Sequence, residues 1–501
     1  MNRTIISKLA KLHFITPRGI YNLLRSIYKD GISLMALIRF ASIYYPDKCA
    51  LVSLGKRFTY KEMYDYSSQL AKLLYSDYAL KAGMSVSLLC RNHFMVALLL
   101  PALSRLGVKV KMINTDVASC MVDDLVKDYN ISLLIYDSEL RDKLIPCDLP
   151  CKYKESEDLY NEIVARGNDF DLKIPHIKRG GEISVFTGGT SGKSKEVPRK
   201  MSINQLLLPF YALLEKLRID EYDSVLLSLP MYHGFGLSVL VMSFLIGKKV
   251  CLMSHFEADQ ALNMVADEKI EVLPVVPAIL ARLWQNEEAP SLMKTVKCII
   301  CGGDRLDKKW VDTTNKHLGK VLFNLFGTSE AGFFMIASSD DLLRNEEVTI
   351  GRPIHGVKCK LENTDSQGVG SLWVRSGWAM MNMRNKWQAT GDKVYRNADG
   401  YYFYRGRSDN MVVCGGENVY PENVEKIINT HHEVITSMVY PGPDPLFGTV
   451  LNAKVELTTD SVLTPEDLKT WLRPRLSRAE MPHDITINTI NILGTGKIRR
   501  Q

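Results

Sequence analysis

From Ala50 onward the chain alternates short β-branched runs with helix-length amphipathic stretches, and that alternation leaves few architectures open. Ala50-Leu51-Val52-Ser53 predicts a strand, Leu54-Gly55-Lys56 a turn, and Thr59-Tyr60-Lys61-Glu62 a capping box that opens a helix toward Tyr75. Further on, Ser85 to Cys90 reads as a strand, His93 to Leu106 as a helix, Val108 to Ile113 as a strand and Ser132 to Tyr136 as another. Strands of this kind, separated by helices, build a mostly parallel sheet covered on both faces, so the expected fold class is α/β. No sequence repeat appears at solenoid-like spacing, which excludes a repeat architecture.

With 501 residues the chain exceeds one ordinary core. A change comes where Tyr401-Tyr402-Phe403-Tyr404 runs into Arg405-Gly406-Arg407-Ser408-Asp409. After it a short strand, the turn Gly415-Gly416-Glu417-Asn418 and a helix from Pro421 begin a smaller α+β unit. The boundaries expected are therefore a helical extension over 1–45, a large domain of covered sheets over 46–408, and a small mobile domain over 409–501.

Composition excludes several classes. Apolar residues make up 46% and charged residues 24%, ordinary for a soluble enzyme, and no apolar run is long enough to span a membrane. Lys8 and Lys11 interrupt the only apolar stretch near the N-terminus, so no secretory signal is expected there. The cysteines lack framework spacing, which points to a reducing cytoplasm; Cys298 and Cys301 fall in an apolar run ending at Gly302-Gly303 and read as core rather than as a zinc or redox pair. A net charge of +7 is mild for this length and does not call for nucleic acid.

Thr16-Pro17 starts a helix and Gly31 stops it. Between them Ile20, Leu23, Leu24, Ile27 and Tyr28 recur at helical spacing, with Arg18, Asn22, Arg25 and Lys29 on another face. The expectation is a packed helix with a solvated basic edge; the alternative is contact of residues 1–30 with an anionic membrane surface.

Thr187 to Lys195, reading TGGTSGKSK, follows the β-branched run Ile183-Ser184-Val185-Phe186. Its glycines let backbone N–H groups approach an anion, its hydroxyls can reach a metal, and its lysines neutralise charge, so it is a phosphate-handling loop. Gly192-Lys193-Ser194 supplies half of a Walker A motif, but Thr187 stands where that motif needs glycine. Val197-Pro198-Arg199 also intervenes before the next helix start at Ser202-Ile203-Asn204-Gln205, which counts against a P-loop nucleotidase.

Five segments follow in order. Pro230-Met231-Tyr232-His233-Gly234-Phe235-Gly236 is a histidine turn, and Phe326-Gly327-Thr328-Ser329-Glu330 joins an aromatic, hydroxyls and a carboxylate. Thr390-Gly391-Asp392, then Gly406-Arg407-Ser408-Asp409, and finally Gly496-Lys497 complete the set. With the loop, this order resembles the adenylate-forming superfamily of acyl-CoA synthetases, luciferases and peptide-synthetase adenylation domains, over the chain from about Ala50 to its end. Ser194 and Glu196 depart from the family's proline and glycine, Phe326 from its tyrosine, and Ser329 from its threonine.

The resemblance implies ATP, Mg²⁺ and coenzyme A as reaction partners, together with a small carboxylic acid. Gly188, Gly189, Thr190, Ser191, Gly192, Lys193 and Lys195 would hold the outer phosphates, and Thr187 with Glu330 would bind Mg²⁺. Phe326, followed by Gly327, Thr328 and Ser329, would form one wall for adenine; Gly302, Gly303 and Asp304 would form the other. Asp392 and Arg407 would take the ribose. Lys497 would be the catalytic cation, His233 would border the carboxylate pocket, Asp409 would be a hinge, and Gly415 and Gly416 would line the thiol tunnel. An apolar pocket along Leu237 to Ile246, with the amphipathic N-terminus, favours a fatty acid and hence lipid metabolism in the cytoplasm or at a membrane. The alternatives are an aryl-CoA ligase of benzoate or succinylbenzoate type, and a catalytically weak acyl or nucleotide binder.

Overall fold

The computed structural model describes residues 3–117, 119–144, 151–167, 172–187, 195–199, 209–328, 330–379, 383–408, 410, 412–414, 417–444, 448–476 and 480–490. Two compact units account for it. Met1–Pro274, Ser291–Ile299 and Gly377–Arg384 form the first, and Val275–Pro290, Ile300–Ser376 and Asn385–Gln501 the second.

The first unit is α/β, as the alternation requires. Its N-terminal helices are α1 (Arg3–Lys11), α2 (Pro17–Asp30) and α3 (Leu34–Tyr44). The hairpin β1 (Cys49–Ser53) and β2 (Lys56–Thr59) leads into α4 (Tyr60–Ser76), closed by the expected capping box. In that box Glu62 accepts the Thr59 N–H at 2.7 Å and Thr59 Oγ1 accepts the Glu62 N–H at 3.2 Å.

The alternation continues with β3 (Ser85–Leu89), α5 (Phe94–Leu106), β4 (Lys109–Met112), α6 (Ser119–Asp128), β5 (Ile131–Tyr136), β6 (Lys152–Glu155) and α7 (Ser156–Arg166). With β7 (Ile183–Thr187) and β8 (Lys195–Arg199) these strands make a six-stranded sheet ordered β6-β5-β3-β4-β7-β8. Only β8 runs antiparallel to its neighbour, and as the edge strand it tolerates Pro198. Every position of α5 is buried, the mark of a helix enclosed on all sides.

A second sheet runs β9 (Ser224–Leu227), β10 (Lys249–Leu252), β1, β2, with α8 (Gly234–Leu245) between β9 and β10. The strand Val272–Val275 pairs parallel to β9, and Cys298–Gly302 is wholly buried. Cys298 and Cys301 are free thiols whose pKa values burial pushes up, the state of core cysteines. No helix among the described residues is long and apolar enough to cross a membrane.

α2 is packed with a solvated basic edge, as expected, but only Leu23 and Ile27 of its apolar stripe are half-buried. Its caps are as read: Thr16 Oγ1 accepts the Gly19 N–H at 3.1 Å, and Gly31, at φ +73°, could not carry a Cβ because the Ile177 carbonyl oxygen would stand 2.5 Å away. Yet the side buried is Gly19, Asn22, Ser26 and Asp30, while Ile20, Tyr21, Leu24 and Tyr28 are 46, 63, 61 and 77% exposed. The cause is Asp30. Its carboxylate takes Arg39 Nε at 2.5 Å and Arg105 Nε at 3.3 Å, and Arg105 also donates to the Pro175 carbonyl at 3.0 Å. A buried carboxylate with two guanidinium partners anchors the helix by its polar side and turns Ile20, Tyr21, Leu24 and Tyr28 outward.

The second unit contains the antiparallel strands Leu322–Thr328, Gly332–Ala337 and Arg352–Pro353, and a four-stranded antiparallel sheet of Lys358–Glu362, Val369–Arg375, Gln388–Arg396 and Tyr402–Arg407. Beyond Asn410 come the hairpin Val412–Cys414 and Glu417–Val419, helix Pro421–Ile428, and a sheet of Val434–Asp444, Gly448–Leu457 and Ile485–Ile487. An apolar cluster drawn wholly from Cys414 to Ile485 gives this C-terminal part its own core. Polar contacts tie it to earlier residues of the same unit. Lys309 Nζ donates to the Val434 and Ile435 carbonyls at 2.6 and 3.0 Å, Asn429 donates to Asp307 at 3.0 Å, and Lys426 meets Glu347 at 2.9 Å. Asp409, the expected hinge, lies outside the described residues.

Removing Asp30 leaves two arginines without their carboxylate. Asp30→Ala should therefore lower unfolding free energy by about 3 kcal/mol in urea titrations, whereas an effect within about 0.5 kcal/mol would contradict the anchoring role.

Candidate active site

In the second unit, residues far apart in sequence meet through strand pairing. Asp392 and Arg407 are register partners in the strands Gln388–Arg396 and Tyr402–Arg407. Arg407 Nη1 lies 3.4 Å from Asp392 Oδ1 and donates to the Thr390 carbonyl at 3.1 Å; the Thr390 hydroxyl accepts the Asp392 N–H at 3.2 Å. Gly391 holds φ +80°, so the Thr390-Gly391-Asp392 turn favours glycine, and a Cβ there would press on the Arg407 guanidinium at 2.7 Å. The result is a buried carboxylate beside a cation, able to accept hydrogen bonds from a diol.

Phe326 sits in the strand Leu322–Thr328, half-buried, edge-on to Phe334 at 5.6 Å between ring centroids and 6.3 Å from Tyr404. Two neighbouring rings thus fix the orientation of the Phe326 ring. Gly302 approaches the same strand, since a Cβ on it would come within 2.7 Å of the Leu325 carbonyl oxygen. Asp304 and Asp392 converge on Tyr404: burial first, then the charges of Glu422, Asp392 and Asp304, hold its phenol far above the usual range and keep it neutral. Past Thr328 the chain turns, with Thr328 Oγ1 accepting the Ala331 N–H at 3.0 Å, and Glu330 stands in that turn. Gly302, Asp304, Phe326, Thr328, Asp392 and Arg407 are thereby linked through neighbouring strands and Tyr404, which sequence reasoning did not single out.

The first unit holds the histidine turn. Asn92 clamps it, donating to the Leu229 carbonyl at 2.7 Å and accepting the Met231 N–H at 2.8 Å. His233 then caps α8, with its ring 4.8 Å from that of Tyr232. Burial lifts the Tyr232 phenol to about 12, its hydroxyl lies 3.4 Å from Thr115 Oγ1, and both groups are neutral at ordinary pH. On α8, Leu240, Val241 and Phe244 line a small apolar cleft of about 20 Å³ with Leu34, Leu37 and Leu100.

Next to Asn92 lies a cluster the sequence did not reveal, because its members come from three elements. His93 Nε2 is 2.7 Å from Asp137 Oδ1, Ser156 Oγ donates to the same oxygen at 2.8 Å, and the Arg91 N–H reaches Oδ2 at 2.8 Å. Cys90 completes a set with metal-ligand chemistry. Hydrogen bonds within the protein already engage these groups, Cys90 Sγ reaching the Ile135 carbonyl at 3.6 Å. His93 Nδ1 accepts the Met95 N–H at 3.3 Å, so Nε2 carries the proton, and burial raises the Cys90 thiol well above its usual range. This is a structural web behind the histidine turn.

The glycine-rich segment after Thr187 is bracketed by β7 and β8, where Thr187 and Lys195 are register partners. A strand follows the loop, against a Walker arrangement. Gly188, Gly189, Thr190, Ser191, Gly192, Lys193, Ser329, Gly415, Gly416 and Lys497 lie outside the described residues, as do the side chains of Thr187 and Lys195.

Comparison with known proteins agrees with the resemblance. Residues 41–383 match the AMP-binding enzyme family, and the chain belongs to it. It is 25% identical over 459 residues to 2-succinylbenzoate–CoA ligase of Bacillus pumilus, covering 87% of this chain and 90% of the relative. The ligase of the same name from Lactococcus lactis is 24% identical, over 83% of this chain and 89% of that one. Among solved structures, an anthranilate CoA ligase with anthranoyl-AMP superposes with TM-score 0.81 at 19% identity, covering 93% of this chain and 95% of that one. The o-succinylbenzoate CoA synthetase of Bacillus subtilis with its acyl-adenylate superposes with TM-score 0.76 at 20% identity, covering 93 and 96%. The α/β fold is that of the adenylate-forming enzymes.

The Asp137 web makes a pH prediction. Burial would raise that carboxyl, but the His93, Arg91 and Ser156 bonds outweigh burial and hold its pKa below the ordinary value. A depressed carboxyl contributes stability that is fully present above the unfolded pKa of about 4 and lost as pH falls through the folded value. Asp137→Asn should flatten the acid limb of a stability-against-pH profile; an unchanged limb would refute this.

Proposed function

We propose that this chain is an ATP-dependent acid–thiol ligase that activates an aromatic carboxylic acid of the 2-succinylbenzoate type as its acyl adenylate and transfers it to coenzyme A. The observation that carries the reading is the similarity to 2-succinylbenzoate–CoA ligases along 87% of the chain, which favours the aryl alternative over the fatty acid expected from the apolar run after His233. The fatty-acid and lipid-metabolism reading gives way to it: an apolar pocket also suits an aromatic ring.

The residues fit the parts of such a reaction. Phe326 supplies a ring face for adenine, with Gly302, Gly303 and Asp304 opposite, and the Asp392–Arg407 pair takes the ribose hydroxyls. Glu330 and Thr187 offer the oxygen ligands that Mg²⁺ prefers, and the bound ion would neutralise phosphate charge. The loop from Thr187 to Lys195 takes the outer phosphates, and His233 borders the acid. In the first step a carboxylate oxygen attacks the α-phosphorus, and pyrophosphate leaves with the electrons of the broken P–O bond. In the second, the thiol sulfur attacks the acyl carbon, AMP leaves with the electrons of the acyl–oxygen bond, and the thiol proton passes to solvent.

Lys497 is the cation assigned to the first step, where it neutralises repulsion between carboxylate and phosphate; losing such a contact costs on the order of 10²- to 10³-fold. Asp409 serves as hinge and Gly415-Gly416 as the thiol-side loop once the C-terminal part turns.

Lys497→Ala should lose acid-dependent pyrophosphate release by about that factor while still converting supplied acyl adenylate and coenzyme A to thioester; equal loss in both would remove the assignment. Across a panel of carboxylates, pyrophosphate release is expected with succinylbenzoate or related aryl acids. Release only with long-chain fatty acids would restore the lipid reading, and none with any acid would favour a nucleotide or acyl binder.

A further inference from the structure

The outward-turned apolar face of α2 is not used by the proposed chemistry. Ile20, Leu24, Tyr28 and Tyr21 follow one another around about 100° of the helix, and Arg25, Arg18 and Lys29 occupy the next ~40°. All seven are exposed. The remaining arc carries the buried Gly19, Asn22, Ser26 and Asp30 together with the half-buried Leu23 and Ile27, so the helix cannot bury its outward residues by rolling without breaking the Arg39 and Arg105 contacts.

A second segment of the same unit widens the patch. Ile32 forms a parallel bridge with Arg179, its N–H donates to the Lys178 carbonyl at 3.1 Å, and the rings of Tyr28 and His176 lie 6.2 Å apart. Lys173, Lys178 and Arg179 are exposed there. Across Pro17–Asp30 and residues 172–180 the only carboxylate is Asp30, 5% exposed and neutralised from inside. Among the described residues of these two segments, the patch therefore pairs apolar and tyrosine side chains with six exposed cations and no exposed anion. Residues 17–30 also precede the family match, which begins at residue 41.

We propose that this patch docks on an anionic lipid bilayer surface, α2 lying in the interface with Ile20, Leu24 and the two tyrosines at the headgroup–acyl boundary and the cations on lipid phosphates. Charge complementarity selects the occupant: such a surface supplies anions beside an apolar layer, and tyrosine suits that boundary. A partner protein or a second copy of the chain is the competing occupant. The proposal is independent of which acid is activated.

The test is co-sedimentation of the full chain with phosphatidylcholine vesicles, alone or carrying phosphatidylglycerol, at low and high salt. Binding is expected only with the anionic vesicles and weaker at high salt. Leu24→Glu/Tyr28→Glu should reduce it at least ~10-fold, and Arg18→Ala/Arg25→Ala/Lys29→Ala should reduce it and flatten its salt dependence, with unfolding temperature and thioester formation unchanged. Tyr28→Trp, which leaves the fold untouched at an exposed position, should add blue-shifted emission on vesicle addition. No sedimentation with anionic vesicles together with no emission shift would overturn the proposal. So would equal binding by the glutamate variant, or dimers in light scattering that this variant abolishes without any vesicle binding.

Discussion

A carboxylate removed from water must be given partners, and three aspartates show how far that constraint reaches in this protein. Asp30 takes two arginines and thereby decides which side of α2 is buried. Asp137 collects a histidine, a serine and a backbone N–H, tying the starts of α5 and α7 together behind the histidine turn. Asp392, buried opposite Arg407, keeps an acceptor fixed in a strand pair. In each case the charge positions a surface or a site, and apolar packing around it supplies the bulk of the stability.

The candidate site is assembled from strand ends and turns, the positions where side chains leave the sheet with their backbone already paired. Gly302 lets one strand pass close to the next, Gly391 lets its turn accommodate the Arg407 guanidinium, and Phe334 and Tyr404 hold the Phe326 ring. Asn92 does the same for Leu229 and Met231 with two hydrogen bonds from a single amide. Among these supporting residues, Phe334, Tyr404 and Asn92 belong to no motif. Their identities matter only because folding makes them neighbours.

How much was legible can be judged from particular elements. The capping box at Thr59 and Glu62, the start of α2 at Thr16 and its stop at Gly31 follow from contacts within four residues, and all were readable. The strand Cys298–Gly302 was equally plain from its apolar run. The pairing of Asp392 with Arg407 was implied by motif order but not by local pattern. The contacts of Lys309 with Val434 and Ile435, and the Asp137 web, carried no signal at all, because each joins residues that only the fold brings together.

The chain's own sequence determined the α/β alternation and the ordered motifs that mark an AMP-binding enzyme. These depend on short-range preference and on residue chemistry, which a sequence carries openly. Tertiary structure alone decided the facing of α2. A periodicity reports that a helix has an apolar side; whether that side turns in or out depends on what the opposite side meets, and here a buried Asp30 met two arginines from other helices.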